Sequence, residues 1–127
     1  MAGYVIDSWA WMEYVEGSPR GKKVKEFLQG IGPFFCATIS VAEVSSKLKR
    51  RGSDSETGRK AIIANAKLIE LDETSAYEAG QIHAEMRKRI IDFGMADAVV
   101  LACARKLGAK ILTGDPHFKG VKDAVMI

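Results

Sequence analysis

Apolar positions along the chain fall into two patterns. Short, nearly unbroken apolar stretches occur at Tyr4-Val5-Ile6, at Phe34 to Ala37, at Lys67 to Leu71, at Lys110 to Thr113 and at Ala124 to Ile127. Stretches of this length, bounded by polar or glycine positions, predict buried strands. The segments between them carry apolar residues at helical spacing. Ser8 is the expected cap of a helix that begins near Trp9 and stops around Gly17. Ser18-Pro19 opens a second helix, to about Gln29, because proline suits the first turn. Gly30-Ile31-Gly32-Pro33 breaks it. Thr38 or Ser40 caps a third, with Val41, Val44 and Leu48 on its apolar face. Gly52-Ser53-Asp54 is a turn, and a fourth helix covers about Glu56 to Asn65.

Asp72 or Thr74 then caps a long helix that reaches about Ile90, and Gly94 is a break. Ala96, Val99, Val100, Cys103, Ala104 and Leu107 recur as one apolar stripe on the last helix, which Gly108 ends. Strands alternating with helices predict an α/β fold with a parallel sheet. In such sheets, sites form beyond the carboxyl ends of the strands.

Composition narrows the class. The chain has 127 residues, of which 47% are apolar, so one domain spanning 1–127 with a substantial core is expected, and disorder is excluded. No apolar run approaches the ~20 residues of a membrane span. Two cysteines, Cys36 and Cys103, lie inside apolar stretches and read as small buried hydrophobes, a usage that suits a reducing cytoplasm. Asp7 interrupts the only candidate for a secretory signal. A net charge of +3 permits an anionic partner without requiring one.

The candidate chemistry is acidic. Asp7 ends the first strand, and Glu43 lies one turn into the helix after the second. Asp97 opens the last helix, and Asp115 follows the fourth strand in Thr113-Gly114-Asp115. A parallel sheet can bring all four to one edge. Two carboxylates in close contact repel by about 4 kcal/mol at an effective dielectric near 20. Protonation or a divalent cation offsets that. Hard ions such as Mg²⁺ or Mn²⁺ take oxygen ligands, and they activate water at phosphodiesters. Each acid also has a plainer reading. Asp7, followed by Ser8 at a strand end, also reads as a helix cap. Glu43 points away from the apolar face of its helix and so reads as solvent-exposed. Asp97 suits a helix N-terminus, and Asp115 before Pro116 suits a turn.

Taken together, these segments resemble the PIN domain, and in particular the VapC-type toxins of toxin–antitoxin pairs. The resemblance covers nearly the whole chain. It is carried by Tyr4-Val5-Ile6-Asp7-Ser8-Trp9, by Thr38-Ile39-Ser40-Val41-Ala42-Glu43-Val44, by Leu71-Asp72 with Ala76, Ala79, Gly80 and Ile82, and most specifically by Met95-Ala96-Asp97-Ala98-Val99 running into Leu112-Thr113-Gly114-Asp115. It implies a three-layer α/β/α sandwich with a central, mostly parallel sheet of four to five short strands. It also implies a metal-dependent endoribonuclease in which Asp7, Glu43, Asp97 and Asp115 hold one or two Mg²⁺ or Mn²⁺ ions, with Thr113 as the accompanying hydroxyl. Its expected partners are RNA, a cognate antitoxin across the active-site groove, and a second copy in a homodimer. Its expected location is the cytoplasm. One departure stands out: many relatives carry a further acid where this chain has His117. Contact with a phosphate or with the antitoxin is one reading of His117, and an exposed turn histidine the other.

Two basic runs, Lys47-Lys49-Arg50-Arg51 and Arg87-Lys88-Arg89, read as solvated helix faces or as RNA-steering patches. Trp9, Trp11, Met12 and Tyr14 crowd the first helix, beyond what one core face accepts. No zinc, nucleotide-loop or redox motif occurs. Two alternatives to the nuclease are a PIN-like protein that binds RNA without cleaving it, and a Mg²⁺-dependent phosphoacceptor module. Asp7 has no neighbouring acid on its strand, which counts against the second.

Overall fold

The computed structural model describes residues 2–127. Five strands, β1 (Tyr4–Ile6), β2 (Phe34–Ala37), β3 (Lys67–Ile69), β4 (Lys110–Thr113) and β5 (Ala124–Met126), form one sheet in the order β3-β2-β1-β4-β5. Every pairing is parallel, with Tyr4 opposite both Phe34 and Lys110. Six helices complete the chain: α1 (Ser8–Glu16), α2 (Pro19–Leu28), α3 (Thr38–Arg50), α4 (Ser55–Asn65), α5 (Glu73–Met86) and α6 (Met95–Leu107). Among the described residues no helix is long and apolar enough to cross a membrane.

Successive strand residues point to opposite faces of a sheet, and both faces of this sheet are covered. Val5 and Ile111 enter a core with Phe93, Phe118 and the α6 residues Ala98 to Ala104. Their neighbours Ile6 and Leu112 enter a second core with Trp11, Val24, Val44, Leu48 and Ile62. Helices α5 and α6 therefore lie on one face, and α1 to α4 on the other. This is the three-layer α/β/α arrangement with a parallel sheet that the sequence predicts. Burial on both faces explains why the strands read as unbroken apolar runs rather than alternating ones. Cys36 and Cys103 are free and buried. Burial pushes the Cys36 thiol up to about 12 and the Cys103 thiol to about 11, so neither is a nucleophile.

Local expectations need several corrections. Helix α1 is capped by Asp7, not Ser8: Asp7 Oδ1 accepts from the Ala10 amide at 2.9 Å. Neither Thr38 nor Ser40 caps α3, whose cap position is Ala37 and has no side-chain bond. Asp72, rather than Thr74, caps α5 through the Ser75 amide at 2.8 Å. Helix α5 ends at Met86 instead of Ile90, because the chain turns to bring Phe93 into the core against Phe118, ring to ring at 5.9 Å. Strand β3 stops at Ile69 rather than Leu71. Helix α6 is more than a stripe: all seven residues from Ala98 to Ala104 are buried, since it packs on α5, α3 and the sheet together.

Candidate metal centre

The order β2-β1-β4 sets the carboxyl ends of three adjacent strands side by side. Asp7 follows β1, and Thr113 ends β4 beside it. Asp7 is 4% exposed and Thr113 fully buried. Each Asp7 oxygen has a donor. Oδ1 takes the Ala10 amide, and Oδ2 takes the Thr113 hydroxyl at 2.5 Å. Thr113 Oγ1 in turn accepts from the Asp115 amide at 2.9 Å, which fixes the start of the loop after β4. Burial pushes the Asp7 carboxyl up to about 7. The Thr113 and Ala10 hydrogen bonds act against that rise, and the charges of Asp115 and Asp97 add to it.

Asp115 lies in the loop after β4 and Asp97 in the first turn of α6, and His117 joins them. Asp115 Oδ1 accepts from the His117 amide at 2.9 Å at the start of the short 3-10 turn Pro116–Phe118. Asp97 Oδ2 accepts from the Gly94 amide at 2.9 Å, one turn upstream in the entry to α6. The His117 ring bridges three carboxylates. Nδ1 is 2.9 Å from Asp97 Oδ2 and 3.6 Å from Asp115 Oδ1, and Nε2 is 3.2 Å from Asp92 Oδ2. Burial alone would lower this imidazole. The hydrogen bonds to Asp97 and Asp92, with the charges of Asp115 and Asp97, raise it above its ordinary value. Ligand atoms of Asp97, Asp115 and His117 all lie within 4.8 Å of one another.

Glu43 is half-buried, not solvent-exposed as its apolar face alone predicts. Burial raises its carboxyl. The Ser8 hydroxyl and Lys47 lower it, and the charges of Asp97 and Asp115 raise it further, so Glu43 feels the same cluster. The buried face of α3 is Ser40, Val44 and Leu48. Counting the polar Ser40 rotates the stripe toward Glu43, about 60° from Ser40 on the helical wheel. Leaving Ser40 out of the apolar set hid this placement.

Two further residues belong to the surroundings of the site without a sequence signal of their own. Asp92 lies in the turn between α5 and α6 and announces itself only through its contact with His117. Gly114 is the second. A Cβ there would stand 2.2 Å from Trp9 Cη2, so the indole of α1 lies flat on the backbone between Thr113 and Asp115. Arg20 covers the ring at 5.8 Å from its centroid. Trp9 thus braces the β4 loop, whereas Trp11 is fully buried in the core. The basic runs are partly engaged by neighbours: Arg51 pairs with Glu16, and Lys88 with Glu85 at 3.2 Å.

The donor set suits a divalent cation. The Asp7 carboxyl is raised chiefly by its burial, with the charges of Asp115 and Asp97 adding to that, and a cation relieves a buried charge of this sort. Oxygen donors of this kind match Mg²⁺ or Mn²⁺.

A family model for the PIN domain matches residues 4–124. No curated protein matches the sequence. Several solved structures share its fold. Mycobacterium tuberculosis VapC20, described as a Sarcin-Ricin loop cleaving toxin, superposes with a TM-score of 0.79 at 16% identity, over 94% of this chain and 95% of that one. DNA-bound VapBC from Salmonella typhimurium gives 0.76 at 16% identity, over 100% and 98%. A toxin–antitoxin complex from Klebsiella pneumoniae gives 0.72 at 18% identity, over 97% and 96%. At such identities the likeness establishes a shared fold. With the family model covering β1 through the start of β5, the chain belongs to the PIN domain family.

Proposed function

We propose that the protein is a metal-dependent endoribonuclease and the toxin of a toxin–antitoxin pair. The observation that carries the reading is the cluster of Asp97, Asp115 and His117, whose ligand atoms lie within 4.8 Å of one another, with Asp7 and Glu43 near enough to feel the charges of Asp97 and Asp115. Family membership supports nuclease chemistry, and neighbours described as toxin–antitoxin complexes support an antitoxin partner. A further neighbour, described as a Sarcin-Ricin loop cleaving toxin, supports RNA as the substrate. The homodimer and the cytoplasmic location belong to the same reading.

In this reading Asp7, Glu43, Asp97 and Asp115 hold the cation, Mg²⁺ or Mn²⁺. The ion supplies activation of water and neutralisation of phosphate charge. Thr113 orients Asp7 by donating to Oδ2, and positions Asp115 by accepting its amide. Ala10 and Gly94 amides hold Asp7 and Asp97 from behind, which fixes the carboxylates before substrate arrives. Trp9 packs on the α1 side of the loop at Gly114.

The test is RNA cleavage by purified Asp97→Asn protein, with Mn²⁺ or Mg²⁺ and with EDTA as control. The expected result is loss of at least a hundredfold, with the circular dichroism spectrum unchanged. Cleavage persisting at the wild-type rate ends the nuclease reading.

A further inference from the structure

A carboxylate-only centre has no use for an imidazole in its middle, and His117 is in the middle of this one. Its Nδ1 lies 2.9 Å from Asp97 Oδ2 and 3.6 Å from Asp115 Oδ1. Donors bonded at ~2.1 Å to one ion sit roughly 3.0 Å apart when adjacent in an octahedron and roughly 3.4 Å apart in a tetrahedron, from the usual bond lengths. The observed spacings bracket those values. The imidazole nitrogen therefore stands from each of the two carboxylates at about the spacing of neighbouring ligands, and the three ligand atoms all lie within 4.8 Å of one another.

The other ring nitrogen supplies an independent observation. Histidines that ligate metals generally give their second ring nitrogen to a carboxylate, which fixes the tautomer and the ring plane. Here Nε2 faces Asp92 Oδ2 at 3.2 Å. Asp92 is 73% exposed in its side chain and comes from the turn before α6, outside the set of four acids. The order Asp92, His117, ion is the orientation expected of a ligand.

We infer that His117 is a nitrogen ligand of the proposed metal centre, oriented by Asp92, and that it biases the site toward a first-row transition dication over Mg²⁺. Mg²⁺ prefers oxygen donors and keeps its waters, whereas an imidazole donor favours transition ions. A bound ion would take the Nδ1 lone pair of His117, and any proton held between Nδ1 and Asp97 would pass to solvent. Asp92 keeps the proton on Nε2. The inference rests on the metal centre proposed above, and extends it by one ligand and one ion preference.

Mn²⁺ is the probe. Wild-type protein loaded with one equivalent of Mn²⁺ is measured by electron spin-echo envelope modulation, which reads ¹⁴N coupling from a directly bound imidazole. Mn²⁺ and Mg²⁺ affinities are measured by calorimetry. Coupling is expected in wild type and absent in His117→Ala. The Mn²⁺:Mg²⁺ affinity ratio should drop at least fivefold in His117→Ala, mostly through Mn²⁺. Asp92→Asn, at an exposed position, should retain the coupling and weaken Mn²⁺ about tenfold. Missing coupling in wild type, or coupling that survives His117→Ala, overturns the inference. The wild-type spectrum decides the matter even if His117→Ala fails to fold. Nitrogen coupling without RNA cleavage would sink the nuclease and leave the ligand. Cleavage without coupling would do the reverse.

Discussion

The Thr113 hydroxyl donates to Asp7 Oδ2 at 2.5 Å, although 106 residues separate the two in sequence. This bond ties the ends of β1 and β4 together where the sheet meets the acids. It is also the closest favourable contact of a carboxylate that has almost no water.

Thr113→Val keeps the shape and removes both the donor to Asp7 and the acceptor for the Asp115 amide. Unsatisfied buried groups cost roughly 1–3 kcal/mol each. Urea denaturation at pH 8 is expected to show a loss of that order, and RNA cleavage to fall at least tenfold. Thr113→Ser should restore most of both. Wild-type stability in the valine variant would remove Thr113 from the role given to it.

Asp7 makes stability depend on pH in a direction opposite to that of an ordinary paired carboxylate. Its folded-state pKa, about 7, lies above the unfolded value near 3.8. The folded protein therefore holds a proton that the unfolded chain gives up. The stabilisation is complete below the unfolded value and is lost as pH rises toward and through about 7. Asp7→Asn removes this dependence. The variant should melt higher than wild type at pH 8, and at or below it at pH 4, where the asparagine leaves the Thr113 hydroxyl without its acceptor. Calorimetric melting across that range checks the sign.

Adding a divalent ion should reverse the penalty. At 100 times its dissociation constant a ligand specific to the folded state adds about 2.7 kcal/mol. Mn²⁺ is expected to raise the melting temperature of wild type at pH 8 and to leave Asp7→Asn nearly unmoved. EDTA should undo the shift. Equal shifts in both proteins would place the ion elsewhere.

Gly114→Ala tests the brace under the β4 loop. Its Cβ would fall 2.2 Å from the Trp9 ring, so the indole or the backbone must move. Overpacking of this kind costs typically about 1–3 kcal/mol. Combining it with Trp9→Leu should recover part of the loss, giving a favourable coupling in a double-mutant cycle. Strict additivity would show that the contact carries no energy.

The sequence revealed much of this architecture because its local signals agree with the final packing. Val5-Ile6 and Ile111-Leu112 are adjacent apolar pairs because the sheet is covered twice. Asp7, Asp97 and Asp115 were legible as candidates because strand ends in a parallel sheet share an edge. Glu43 was harder, since its burial follows from Ser40, a polar residue that does not count toward an apolar face. Helix α5 misled at its end: Arg87-Lys88-Arg89-Ile90 are compatible with helix, and what turns the chain is the burial of Phe93 several residues on. Asp92 left no trace at all. Its partner, the His117 ring, comes from another segment, and no periodicity encodes that meeting.

Because β1 lies between β2 and β4 in the sheet, the acidic edge joins two strands far apart in sequence. A polypeptide stopping before Lys110 has neither Thr113 nor Asp115 to set against Asp7. Thr113 and Asp115 meet Asp7 only where β4 has paired with β1.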